Sequence, residues 1–316
     1  MKFAMPTARK HHYLSQCYLK GFAQLEGKNW QTWVLDLKEK RQFRTNIENV
    51  AAIRDFNRID VEGLPPDAIE QAMSSLETRF AETFTEMAKS QSLPAGESFV
   101  VLLNFIALVA ARNPQIRNQL ESIHDKMGRM AAQFLTADKK RWDNVTAKAK
   151  AKGVKLDDAV SFEDIKEFVD SDAYDVKLST TWRLDLELTA VDAVLQTLPS
   201  RKWTIIRTQD ETGDFICSDR PVSLRWNSEV KERPLFGPGF GTLKTILIIP
   251  MTHKLALLGT FESGGGSIVA NRNQVAAINA ATLAMADRQI YSREQHFCYF
   301  SENMTVLSEQ QLLSTN

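Results

Sequence analysis

The spacing of apolar residues changes once, at Pro199, and this change constrains the fold more than any other feature. Before it, apolar residues recur every three or four positions, the period of one helix face. Ile69, Met73, Leu76, Phe80, Phe84 and Met87 form one such face, opened by Pro65-Pro66-Asp67. Phe99 to Ala111 is apolar nearly all round, as expected of a central core helix. Ile116, Leu120, Ile123, Met127, Met130 and Phe134 make the next stripe, so the middle reads as a helical hairpin or bundle. Asn113-Pro114 between them either caps a new helix or kinks a continuous one. Ser161-Phe-Glu-Asp164 has the form of a capping box. Leu184, Leu188, Val191, Leu195 and Leu198 give a further helix, ended by Pro199.

After Pro199 the chain turns to short runs of β-branched and aromatic residues between turn residues. These are Trp203 to Thr208, Phe215 to Cys217, Val222 to Trp226, Thr245 to Ile249 and Leu255 to Phe261. Asp210 to Gly213 predicts a hairpin between the first two. An Ala-rich helix is expected over 273–287, then strands at Ile290 to Ser292 and Phe297 to Phe300. Near the start, Trp30 to Leu37 and Arg41 to Thr45 flank a charged turn and predict a hairpin. The fold class is α+β: a helical bundle in the N-terminal and middle parts, packed on a mostly antiparallel C-terminal β-sheet. The segments are an N-terminal motif and hairpin over 1–60, a helical region over 61–199, and a β-rich region with one helix over 200–316. They are expected to form one composite unit.

Composition excludes several classes of protein. With 43% hydrophobic and 25% charged residues the chain is neither disordered nor fibrous. Lys plus Arg and Asp plus Glu are both 39, which argues against a global footprint for nucleic acid or anionic membrane. A local patch stays open in the basic block from Lys139 to Lys155, which an acidic block up to Asp175 follows. Trp142 is the single aromatic there, short of what single-strand stacking needs. The plainer reading is a pair of solvated helix faces. Cys17, Cys217 and Cys298 form no CxxC and fit a reducing compartment. The opening residues carry no signal core, and the run from Phe99 to Ala111 is well short of the ~20 residues of a span. A cytoplasmic protein with no membrane association is expected.

Candidate chemistry comes from scattered polar residues. His11 and His12 are adjacent, so they point in different directions and only one would line a given pocket. Either is a candidate general base, a metal ligand or a packed histidine. Among Ser218, Asp219, Arg220 and Pro221, the carboxylate ends a strand and is either functional or the acceptor of a turn. Glu77 falls in line with Met73, Phe80 and Phe84, and Arg112 closes the apolar helix. A Glu77–Arg112 pair would satisfy both charges. Arg117 and His124 fit the R-N-(x)n-H pattern of the HEPN ribonucleases and lie ~10 Å apart along one helix. No HExxH, zinc spacing, Walker A, GxSxG or Cys/His dyad occurs, so the cofactor and metal are left unknown.

Several of these pieces together resemble the bacterial domain-of-unknown-function family 4238. They are the opening His-His-Tyr-Leu-Ser-Gln-Cys-Tyr-Leu-Lys-Gly-Phe, Asn49-Val50-Ala51 with Asp55-Phe56, and Leu76-Glu77. Further on come Ala111-Arg112-Asn113-Pro114, Ser218-Asp219-Arg220-Pro221, Ile249-Pro250-Met251-Thr252, Ile278-Asn279 and Ile290-Tyr291-Ser292. Ser15 stands where the family usually has proline, and Arg220 where asparagine is common. Some members of the family occur in phage-related or defence-gene settings, so the resemblance implies an antiviral or toxic effector. The leading expectation is a hydrolytic or nuclease-like effector. In it His12, with His11 beside it, is the acid/base, and Asp219 orients it or binds a metal. Ser218, Arg220, Arg112, Glu77 and Asn279 support the site. Nucleic acid or a phage-derived trigger is the expected partner. The alternatives are a non-enzymatic sensor or interaction protein, and a HEPN-like ribonuclease.

Overall fold

In the computed structural model the described residues are 10–314, apart from 60, 62, 156, 158, 159, 229 and 233. The opening Met1 to Arg9, where no signal core is read, lies outside them. The first strands are β1 (Lys10–His12), β2 (Gln24–Glu26), β3 (Asn29–Asp36), β4 (Arg41–Asn46) and β5 (Ala52–Arg54). The single turn α1 (Gln16–Leu19) follows β1. The helical stretch holds α2 (Ala68–Ser90), α3 (Gly96–Ala111), α4 (Pro114–Leu135), α5 (Lys139–Ala151), α6 (Phe162–Asp170) and α7 (Thr180–Thr197). Then come β6 (Lys202–Arg207), β7 (Cys217–Ser218), β8 (Ser223–Trp226), β9 (Thr245–Pro250), β10 (Leu255–Thr260) and β11 (Ser267–Val269). The chain continues as α8 (Arg272–Leu283), β12 (Gln289–Ser292), β13 (Cys298–Phe300), β14 (Val306–Ser308) and α9 (Gln310–Ser314). The fold is α+β with mostly antiparallel sheets; β11 on β6 is the parallel pair among the described strands.

The chain divides into two compact units: residues 1–113 with 184–316, and residues 114–183. In the larger unit one five-stranded sheet has the order β11-β6-β10-β9-β8. A second has the order β2-β3-β12-β7, with β4 on the other side of β3. Early and late strands therefore share one sheet, with Leu35 opposite Ile290 and Val34 opposite Tyr291. The β3–β4 hairpin forms as its sequence predicts, but the hairpin expected around Asp210 does not. β6 pairs with β10 and β11, whereas β7 leaves for the other sheet and pairs with β12. The Gln209–Thr212 cap and Gly213, at φ +95°, turn the chain away, and the Phe215 amide bonds to the His253 carbonyl instead.

The main core joins α1, α2, α3 and the end of α7 to strands of both sheets. Its centre is an aromatic cluster of Tyr18, Phe80, Phe84 and Phe105, with Phe84 and Phe105 edge-to-face at 4.7 Å. Such pairs add ~0.5–1.5 kcal/mol beyond the area they bury. α3 is the buried helix its composition predicts. Pro114 opens a new helix rather than kinking α3. On α7 the buried face is Glu187, Val191 and Val194, continued by Leu198 just past its end, whereas Leu188 stays exposed, so the face is turned from the leucine stripe. No single helix among the described residues is long and apolar enough to cross a membrane.

In the smaller unit, α4 meets residues 172–176. Arg129 bonds to Asp125, Asp172 and the Tyr174 carbonyl, and the Val176 amide bonds to Asp125. Ser161 and Asp164 form the expected capping box on α6. The stripe on α4 does not enter a core, because none of the helix's residues is buried.

Candidate functional site

β1 runs antiparallel to β5, with His11 opposite Ile53, which lays the histidine motif beside the turn that follows. Asp55 takes a left-handed conformation, φ +58°, and brings the Asn57 amide onto His11. That amide donates to Nδ1 of His11 at 2.8 Å, so the ring hydrogen of that tautomer sits on Nε2. The Asn57 side chain donates to Glu70 Oε2 at 2.6 Å and accepts from Arg112 Nη2 at 2.7 Å. Nε of Arg112 donates to Glu187 Oε2 at 3.2 Å. Arg112 and Glu187 are both buried, so each offsets a charge that would be costly alone. Arg112 is therefore paired with Glu187, not with Glu77. Glu77, one turn before Phe80, is half-buried beside Lys20 and Cys17, and burial pushes its carboxyl up from the usual glutamate range.

His12 points the other way along β1. It lines a cavity of about 20 Å³ with Ser15, Asn57, Met73, Phe105 and Arg112. That volume is sufficient for about one water molecule. Its Nε2 is buried and has no hydrogen-bond partner among the described residues. Burial lowers the affinity of the ring for a proton, and Lys10 lowers it further, against Glu70.

Asp219 follows β7. Its Oδ1 accepts the Asp287 amide at 2.9 Å, and its Oδ2 accepts the amides of Arg288 at 2.7 Å and Gln289 at 2.9 Å. The carboxylate thus clamps the turn between α8 and β12. Burial pushes it up from the usual aspartate range and the three amides pull it back. Its Oδ atoms do not line the His12 cavity. Ser218 is fully buried and its Oγ accepts the Arg220 amide at 3.2 Å, while the Arg220 guanidinium is half-buried beside Asp219 and Asp287.

Tyrosines link the two ends of the chain. Tyr18 Oη donates to the Pro250 carbonyl at 2.5 Å and lies 3.6 Å from Cys217 Sγ. Tyr13 meets Tyr291, whose hydroxyl donates to Gln289 Oε1 at 3.0 Å, and burial pushes the Tyr13 phenol well up, with the Asp219 charge adding to it. Gly21 allows the backbones to touch: a Cβ there would lie 2.8 Å from the Met251 carbonyl oxygen. The His253 amide donates to the Gly21 carbonyl at 2.8 Å. Asn279, fully buried on α8, accepts the Ile216 amide at 3.0 Å and donates to the Asp214 and Cys298 carbonyls at 2.9 Å each.

The structure thus assembles two networks from the residues singled out in the sequence. One joins His11, Asn57, Glu70, Arg112 and Glu187. The other joins Ser218, Asp219 and the 287–289 turn to the tyrosines of the opening motif. Asn57, Glu70 and Glu187 are additions. Glu187 carried a signal, a lone carboxylate at helical spacing from Val191 and Val194; Asn57 carried none. Among the described residues no cluster of His, Cys, Asp and Glu could hold a metal ion. Arg117 and His124 both lie on α4, with His124 edge-on to Trp182 at 5.0 Å.

Fold and networks define an α+β protein in which a histidine-led opening segment is bonded to strand ends from the far half of the chain. The family described as "Protein of unknown function (DUF4238)" matches residues 10–296, and the chain belongs to it. No curated protein and no solved structure matches the chain.

Proposed function

We propose that this chain is a bacterial, cytoplasmic protein that acts in antiviral defence by binding, not by catalysis, and that its family motifs are its scaffold. The observation that carries this reading is the state of Asp219. Both of its oxygens are occupied by three backbone amides, which leaves it little capacity to orient a base or hold a metal. His11, Arg112 and Asn279 are likewise bonded within the chain. The setting is supported by the defence-related occurrence of some family members. The trigger in this reading is a phage-derived macromolecule.

The hydrolytic reading has one observation in its favour, the unpartnered Nε2 of His12. A 20 Å³ cavity holds a water but not a substrate. The test is expression in a bacterial host with and without phage, comparing wild type, His12→Gln and Asp219→Ala at measured soluble protein level. Binding predicts that His12→Gln protects like wild type and that Asp219→Ala loses protection only as far as it loses folded protein. Loss of protection by His12→Gln at unchanged level and melting temperature would establish chemistry instead.

A further inference from the structure

A second cavity lies away from the histidine motif, between the start of α8 and the β13–β14 hairpin. Its volume is about 480 Å³, which falls among small-molecule sites and far above the space beside His12. Its ionisable lining groups are Asp214, Arg272, His296, Cys298 and Glu309.

Both acids are already committed. Lys254 Nζ meets Asp214 Oδ1 at 2.6 Å and Asp210 at 2.8 Å. Glu309 is fully buried; its Oε2 accepts the Phe297 amide at 3.1 Å, and its Oε1 lies 2.6 Å from Nδ1 of His296. A carboxylate accepts, so Nδ1 carries the ring hydrogen. Nor is a nucleophile poised here. Burial pushes the Cys298 thiol up from the ordinary cysteine range, against the pull of Arg272, and the Ser308 hydroxyl is bonded to Gln311 Oε1 at 3.0 Å.

Two groups are left for a ligand. Arg272, the first residue of α8, is exposed and makes no hydrogen bond or ion pair among the described residues. The His296 side chain is 66% exposed although its Nδ1 faces a buried carboxylate, so the opposite edge of the ring, with Nε2, is the open one. With the hydrogen held on Nδ1, Nε2 of the neutral ring is an acceptor. A free guanidinium takes an oxyanion, and a ring acceptor takes a hydroxyl hydrogen. One molecule that satisfies both carries an anionic group and hydroxyls.

We propose that this cavity binds a small polyhydroxylated oxyanion, a sugar phosphate or a sugar acid, with Arg272 on the anionic group and His296 on a hydroxyl. It goes beyond the binding reading above, which concerns a macromolecular trigger. The test is isothermal titration calorimetry of the full chain with ribose 5-phosphate and with gluconate. Inorganic phosphate, acetate and ribose are the single-group controls, and Arg272→Met and His296→Phe are the variants. Arg272→Met breaks no bond of the fold, so it decides the matter even where His296→Phe, which takes the ring donor from Glu309, fails to fold.

Ribose 5-phosphate or gluconate is expected to bind with a Kd below about 1 mM, and whichever binds names the anionic group. Each control is expected to bind at least about tenfold more weakly, and each folded variant to lose about tenfold or more. Absence of binding by both compounds overturns the proposal. So does a control that binds as tightly as the compound it is cut from, which would leave no role for one of the two groups. Wild-type affinity in Arg272→Met, or in a folded His296→Phe, overturns it as well.

Discussion

Replacing Asp219 by alanine removes the acceptor of three buried backbone amides at once. The amides of Asp287, Arg288 and Gln289 donate to it at 2.9, 2.7 and 2.9 Å. A buried donor left without a partner costs ~1–3 kcal/mol, and bonds to a charged group stand at the upper end. The three share one turn, so their costs do not add in full, and ~3–5 kcal/mol is expected for the set. In a unit of this size each kcal/mol moves the melting temperature by ~2–4 °C, giving a fall of ~6–20 °C. Asp219→Asn should recover part of the loss, because its amide oxygen can still accept the Arg288 and Gln289 amides while its NH2 group faces the Asp287 donor. The assay is urea unfolding followed by far-ultraviolet circular dichroism, with the melting curve as a second readout. Amide exchange at residues 287–289 should quicken in both variants. A loss under ~1 kcal/mol with those amides still protected would refute the clamp and return Asp219 to the candidates for chemistry.

Three further outcomes follow from the same geometry. Arg112→Met should cost ~3–5 kcal/mol by removing the guanidinium paired with the buried Glu187 carboxylate, and Arg112→Met/Glu187→Leu should cost clearly less than the two single changes summed; additive losses in urea melts would show that the pair is not coupled. Gly21→Ala should lose ~1–3 kcal/mol, since its Cβ would press on the Met251 carbonyl, and an unchanged melting temperature would count against the close approach of the two segments. Burial lowers the folded-state proton affinity of His12 and His253 from the ordinary value of 6.5, so below that pH the unfolded chain binds protons the folded chain does not. Stability should therefore fall between about pH 7.5 and about 5.5, and less so in His12→Phe; parallel losses in wild type and variant would contradict the assignment.

The helices were legible because their spacing is local. α2, α3 and α8 lie close to where the apolar period places them, and the β3–β4 hairpin forms at its charged turn. The non-local pairings were not legible. β7 is two residues long, too short for an alternation, and its place beside β12 is set by Asp219 and the 287–289 turn. The stripes on α4 and α7 are both periodic, yet one faces solvent and the other is turned so that Glu187 enters the core. Period identifies a face and says nothing of what covers it. At the site, the apolar helix ending in Arg112 marks a buried charge but not its partner, which is Glu187 rather than Glu77. Glu77 and Glu187 sit on different helices, and sequence spacing does not choose between them.

The most direct test of the central claim is phage protection by His12→Gln, measured as plaque-forming efficiency at matched soluble protein and melting temperature. The account predicts protection equal to wild type, because the cavity this ring lines has room for about one water and not for a substrate. Protection abolished in a fully folded His12→Gln protein would contradict it.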